Sequence, residues 1–264
     1  MIFSSINGQP QDSISVVDRG FNYGDGLFTT AKVCEGQIDY LDYHIQRLKF
    51  GCQKLLIDDV DFSWLRAYLT TLALSYDLAV IKVVITAGSG GRGYSREGAQ
   101  APNIIVTVHP FPTHYEQMAV HGINLGVANT MLGINPQLAG IKHLNRLEQV
   151  LIRKELDSRK EDDLLVLNMH QNIIETSSAN IFYQIGKQWF TPEIKISGVD
   201  GIMRQVILKQ KPDVIVVSDN LTALADVKAM FICNCISGII PVNRFNNTAL
   251  EMNAVVNFKD DISC

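Results

Sequence analysis

Gly140-Ile141-Lys142-His143-Leu144-Asn145-Arg146-Leu147-Glu148-Gln149-Val150-Leu151 is the stretch on which the reading of this chain turns. One lysine stands between apolar Ile141 and Leu144, just ahead of a helix-spaced pattern. Leu144, Leu147, Val150 and Leu151 recur at that spacing, which predicts an amphipathic helix with those side chains toward the core. A lysine at such a junction is partly withdrawn from water. Desolvation disfavours the ammonium and frees the neutral amine that imine chemistry needs. A lysine met alone more often snorkels to solvent from a helix start, so the weight falls on what accompanies it.

Upstream, Gly26 to Val33 reads as a strand closed by a turn at Glu35-Gly36. A helix follows with Asp42 as its N-cap, and a second helix spans Phe62 to Tyr76. Strands are expected at Ala79 to Ala87 and Asn103 to Pro110. Pro110-Phe111-Pro112 breaks the pattern. The expected organisation is a small α/β domain over 1–112, a linker over 113–119, and a larger domain over 120–264 that carries Lys142. In that second part Leu164 to Asn168, Ala179 to Ile185 and Ala229 to Cys233 read as strands, and Gly201 to Lys209 opens a helix.

The composition narrows the function class. Of 264 residues, 47% are hydrophobic and 19% charged, which suits a compact globular chain. The formal net charge is -4 and the 23 basic residues form no run, so nucleic acid is not an expected partner. No apolar stretch reaches the length of a membrane span. The start, Met1 to Gly8, lacks the basic and apolar regions of an export signal. Cys34, Cys52, Cys233, Cys235 and Cys264 form no disulfide framework, so reduced thiols in a cytoplasm are expected. Cys233-Asn234-Cys235 has no matching pair elsewhere, and no metal site is expected.

Gly88, Gly90 and Gly93 satisfy G-x-G-x-x-G after a strand. A dinucleotide fold also needs a helix to open at once, so that its N-terminus meets the pyrophosphate. Tyr94 to Pro102 has no apolar helical stripe and runs into another strand. A mobile hairpin loop presenting Arg92 fits better.

An enzyme that uses pyridoxal phosphate needs an amine for the imine, an anion near the pyridine nitrogen and a cradle for the phosphate. Lys142 supplies a candidate amine. Glu175 ends the apolar run Ile173-Ile174, where an unpaired carboxylate would be costly. Arg47 and the turn Gly198-Val199-Asp200-Gly201-Ile202-Met203-Arg204 could form the cradle, since helix N-termini and arginine forks both bind phosphate. A solvated glutamate, a surface arginine and an ordinary helix start are the plainer readings of the three.

Together these segments resemble the fold-type IV pyridoxal-phosphate enzymes, the group of branched-chain and D-amino-acid aminotransferases. Asp18-Arg19-Gly20-Phe21-Asn22-Tyr23-Gly24-Asp25-Gly26-Leu27-Phe28 resembles the group's N-terminal signature, and His44-Ile45-Gln46-Arg47-Leu48 its phosphate-arginine segment. Ile141 to Asn145 resembles its lysine segment, and Glu175 to Phe182 its glutamate segment. The resemblance implies a two-domain α/β (α+β) fold with a pyridoxal 5'-phosphate cofactor between the domains, and a homodimer. It implies Lys142 as the imine lysine and Glu175 as partner of the pyridine nitrogen. Arg47 and the backbone of Ile202 and Met203 would hold the phosphate. Asn234 and Cys235 would border the cofactor and substrate, and Arg92 and Tyr94 would trap a substrate carboxylate from across the dimer.

After Phe28, aminotransferases of the group usually carry an acidic residue, and this chain has Thr29-Thr30. That departure weakens the transaminase reading and fits elimination, and it leaves open which of Thr29, Thr30 and water helps protons move; Thr29 is an expected substrate contact. The runs Gly88 to Ser95, Leu138 to Arg153 and Gly198 to Gln205 resemble a lyase branch of the group, and that resemblance implies 4-amino-4-deoxychorismate as substrate, giving 4-aminobenzoate and pyruvate in folate synthesis. D-amino-acid or branched-chain transamination is the alternative, and a binding protein that kept the fold without the chemistry is a third reading.

Overall fold

A computed structural model describes residues 1–262, so the expectation for Cys264 lies outside the described residues. The chain divides into two compact units. One is Met1–Pro112 together with Ile141–Asn145; the other is Thr113–Gly140 together with the chain from Arg146 onward. Among the described residues no helix is long and apolar enough to cross a membrane.

The first unit contains β1 (Phe3–Ile6), β2 (Gln9–Pro10), α1 (Arg19–Tyr23), β3 (Gly26–Cys34), β4 (Gln37–Ile38), α2 (Leu41–Leu55), α3 (Phe62–Ala73), β5 (Leu78–Thr86) and β6 (Asn103–Pro110). Its strands form one antiparallel sheet in the order β2-β1-β6-β5-β3-β4. Strand side chains alternate between the two faces. Leu27, Val33, Ile81 and Ile85 accordingly meet Leu48, Leu65 and Leu69 of the two helices in one core. Asp61 caps α3 by accepting from the Ser63 and Trp64 amides. Asp42 is not the N-cap of α2, as the sequence suggested. Tyr40 holds that place in a left-handed conformation, and Asp42 sits in the first turn paired with Arg66.

The second unit contains α4 (His114–His121), β7 (Ile123–Val127), α5 (Leu147–Leu156), β8 (Asp163–Leu167), β9 (Ile173–Thr176), β10 (Asn180–Ile185), β11 (Gln188–Pro192), α6 (Ile202–Gln210), β12 (Ile215–Val217), β13 (Val227–Asn234), β14 (Gly238–Phe245), β15 (Thr248–Ala249) and α7 (Asn253–Asp260). The strands run β12-β11-β10-β13-β14-β7-β8-β9 in a mixed sheet, with β15 paired to β14. Phe182 and Phe231, on neighbouring strands, stack with ring centroids 4.8 Å apart.

Three sequence expectations are corrected. The expected linker, 113–119, is largely helical, because α4 begins at His114. Lys142 does not belong to the second unit, because Ile141–Asn145 packs with the first. The apolar stripe of α5 is Ile152 and Leu156, while Leu147, Val150 and Leu151 are exposed. Leu144 lies before the helix, and the helical part of the expected stripe, Leu147, Val150 and Leu151, faces away from the unit's core.

Candidate active site

The start of β3 is where the first unit receives Lys142. β4 pairs only with Val33 and Cys34, leaving the beginning of that β3 edge open. Ile141–Asn145 fills it. The Phe28 amide donates to the Lys142 carbonyl at 2.9 Å, and the Leu144 amide donates to the Gly26 carbonyl at 3.0 Å. Ile141 is buried, while the Lys142 side chain, half-buried, brings Nζ to 4.7 Å from the centre of the Phe28 ring. Lys82 Nζ approaches the same ring at 5.0 Å. The lysine thus rests on an aromatic face rather than reaching freely into water.

Strand alternation then dictates where Thr29 goes. With Phe28 under Lys142, Thr29 turns to the opposite face and is 1% exposed. Its hydroxyl lies 2.6 Å from His44 Nδ1. Thr29, expected among the substrate contacts, makes a buried contact with α2. His44 Nε2 is buried with no hydrogen-bond partner. Burial, and secondarily the Arg47 charge, pull the His44 pKa down to about 3, so the ring is neutral. Arg47 lies one helical turn beyond, half-buried on α2. In the sequence His44 is one residue of the segment that carries Arg47. Its pairing with a threonine on β3 is a tertiary contact that no spacing reveals.

The glycine-rich segment is the connection from antiparallel β5 to β6, and no helix follows it. Arg92 and Tyr94 are exposed on it. It is not a loose hairpin, because buried Arg19 donates to the Ser95 carbonyl at 2.9 Å and to the Tyr94 carbonyl at 3.0 Å.

In the second unit Glu175 sits inside β9, 6% exposed, not at a solvated turn. Its Oε2 accepts from the Val199 amide at 2.9 Å. Asn180 secures the same turn twice, donating to the Val199 carbonyl at 2.9 Å and accepting from the Gly201 amide at 3.1 Å. Gly198 has φ +85°, and a Cβ there would stand 2.5 Å from Ile174 Cγ2, so only glycine fits. The turn delivers α6 with Ile202 and Met203 as its first residues. Gly201, at the cap, is extended and offers no side-chain cap. The first amides of that helix are thus left for another acceptor. Asn180 stands in the glutamate segment of the sequence, and no spacing there reveals that it secures this turn.

Arg146 lies within electrostatic reach of Glu175 and Glu148. Burial lowers its pKa from the usual arginine range, and the two carboxylates oppose that fall. Asn234 uses its side-chain oxygen to accept from the Ile236 and Ser237 amides at 2.8 and 2.9 Å, shaping the turn between β13 and β14. Cys235 is half-buried in that turn.

These donors and acceptors suit pyridoxal phosphate. A helix start without a side-chain cap is a place for phosphate oxygens. A buried carboxylate fixed by a backbone amide suits a protonated ring nitrogen. A half-buried lysine supplies an amine for a covalent link to the aldehyde.

Comparison with known proteins agrees. The family model Amino-transferase class IV matches residues 26–245. An aminodeoxychorismate lyase of Vibrio harveyi is 38% identical over 242 residues, covering 90% of this chain and 89% of the relative. The crystal structure of 4-amino-4-deoxychorismate lyase from Pseudomonas aeruginosa superposes with TM-score 0.90 at 32% identity, covering 98% of both chains. The fold is also that of a hypothetical aminotransferase from Mycobacterium tuberculosis solved with pyridoxal phosphate bound. That match has TM-score 0.84 at 15% identity and covers 95% of this chain and 92% of the other.

Proposed function

The chain belongs to the class IV aminotransferase family, and from that premise we propose that it is a pyridoxal-phosphate-dependent lyase converting 4-amino-4-deoxychorismate to 4-aminobenzoate and pyruvate. The observation that carries this reading is the 38% identity, over nine-tenths of the chain, to a relative with that activity in its name.

Lys142 would hold the cofactor covalently and, as a free amine, would take the substrate's C4 proton as general base. When bound, pyridoxal phosphate supplies the electron sink for the pair that this proton leaves behind. Glu175 would keep the ring nitrogen protonated. Arg47 and the amides of Ile202 and Met203 would hold the phosphate, beside the turn that Asn234 shapes. The C3–O bond breaks as the six-membered ring becomes aromatic, and the departing enolpyruvate gains a proton to become pyruvate. Arg92 and Tyr94, reaching from a second copy of the chain, pair with a substrate carboxylate near Cys235.

Incubation of the purified protein with 4-amino-4-deoxychorismate, without any keto acid, should yield equal amounts of 4-aminobenzoate and pyruvate. No 4-aminobenzoate, together with amine transfer from an amino acid to an added keto acid, would establish transamination instead.

A further inference from the structure

The connection between β5 and β6 carries Arg92 and Tyr94 on a backbone in which Gly88, Gly90, Gly91, Gly93 and Gly98 all have positive φ. Glycine loses more conformational freedom on ordering than any other residue. A glycine-rich loop that must present two side chains in fixed positions therefore needs an external hold.

Arg19, at the start of α1, provides it. The side chain is 3% exposed. Nε donates to Asp25 Oδ2 at 2.8 Å. Nη2 donates to the Tyr94 carbonyl at 3.0 Å, and Nη1 to the Ser95 carbonyl at 2.9 Å, with longer contacts of 3.4 Å to the carbonyls of Gly90 and Gly93. The guanidinium carbon also lies 5.0 Å from the centre of the Tyr23 ring, and that ring meets the Tyr94 ring edge-on at 5.6 Å. Arg96, at the far side of the loop, pairs with both oxygens of Asp25 and donates to the Leu55 carbonyl at 2.9 Å and the Leu56 carbonyl at 2.5 Å. Asp25 thus joins two arginines. Burial works against its charge, but the Arg96 and Arg19 hydrogen bonds outweigh that and hold its carboxyl below the usual range.

A cavity of about 530 Å³ borders both arginines, Tyr94 and His143. It is not an anion site, because the arginine donors are directed to the chain's own carbonyls and to Asp25. Their work is structural, and what they structure is the segment that bears Arg92.

We propose that Arg19, fixed by Asp25, is the positioning residue for Arg92 and Tyr94, setting where that loop offers its cation to a substrate carboxylate. The proposal rests on the reading above that these two residues meet substrate. Lysine cannot replace Arg19, since an ammonium lacks the planar fork that spans Asp25 and successive loop carbonyls at once.

The test combines kinetics with proteolysis of the cofactor-loaded full chain. In Arg19→Lys, KM for 4-amino-4-deoxychorismate should rise about tenfold while kcat falls less, because positioning is lost and the covalent chemistry at Lys142 is not. The visible absorption of the bound cofactor should not change. When Arg19→Lys is added to a variant that already carries Arg92→Ala and Tyr94→Ala, KM should rise no further, because Arg19 acts through those two side chains. Additive effects, or an unchanged KM in Arg19→Lys, would overturn the proposal. Trypsin gives a readout that does not depend on activity. The exposed bond after Arg92 should resist cleavage in the wild type and be cut faster in Arg19→Lys and in Asp25→Asn. Rapid cutting in the wild type would overturn the proposal even if neither variant folds. Absence of wild-type turnover on this substrate would instead count against the lyase reading, and the cleavage pattern would still decide whether Arg19 holds the loop.

Discussion

The amide of Phe28 donates to the carbonyl of Lys142 across 2.9 Å, so the strand that carries the N-terminal signature also fixes the backbone of the candidate nucleophile. The same pairing lays the Lys142 side chain along the Phe28 ring. Replacing Lys142 by alanine keeps the backbone hydrogen bond and removes the amine together with its aliphatic stem. Turnover should drop by at least about 10³-fold, the scale of losing both a covalent anchor and a general base. Borohydride reduction followed by peptide mapping should find a pyridoxyl adduct at position 142 in the wild type and none in Lys142→Ala. An adduct on another lysine would remove Lys142 from the mechanism.

Thr29 and His44 predict a pH dependence of stability. The folded His44 pKa, about 3, lies below its ordinary value of 6.5. The unfolded chain therefore takes up a proton as pH falls through about 6.5, and the folded chain does not until about 3. The sign follows: stability is full above 6.5 and declines as pH falls, by up to about 1.4 kcal/mol per pH unit from this group. His44→Gln, which keeps a partner for Thr29 and cannot titrate, should flatten that slope by up to one proton. Urea midpoints across this range would show it, and parallel slopes for the two proteins would refute the assignment.

Much of the fold could be read before any coordinates, and the reasons differ by element. β3, β5 and β6 showed themselves through β-branched, alternating stretches, and α6 through the glycine turn before it. The lysine segment could not be placed, because its partner is the open start of β3, more than a hundred residues earlier. Nothing in the spacing of Ile141 and Leu144 separates an extended segment from the first turn of a helix. The site was legible as residue types, since Lys142, Glu175 and Arg47 stand in long motifs. Its supports, Asn180 around the turn, His44 behind Thr29 and Arg19 beneath the loop, depend on contacts between distant segments. The burial of Thr29 has a local reason: alternation sends it to the face opposite Phe28.

Helix α5 offers a direct comparison between pattern and packing. Ile152 is 1% exposed and Leu147 is 71% exposed. Ile152→Ala should cost about 2–5 kcal/mol, the usual range for emptying a packed aliphatic site. Leu147→Ala should change stability by no more than about 0.5 kcal/mol, as for most surface positions. Chemical denaturation of the two variants checks the difference. A larger cost at Leu147 than at Ile152 would mean that the helix is rotated from the orientation described.

Glu175 carries the last prediction. Its Oε2 takes the Val199 amide at 2.9 Å, so the carboxylate belongs to the hydrogen bonding of the turn that opens α6 as well as to the proposed ring contact. Glu175→Gln separates the two roles. A glutamine oxygen can still accept from Val199, so the turn, and with it the amides of Ile202 and Met203, should stay in place. The negative charge is gone, and with it the means of keeping a ring nitrogen protonated. Cofactor should therefore still be bound, seen as its visible absorption after gel filtration, while kcat falls by about 10²-fold or more, the usual scale for removing one preorganised electrostatic contact. Loss of cofactor with little change in the activity of the loaded fraction would make Glu175 a support of the turn and nothing more. Full activity with full loading would remove it from the site.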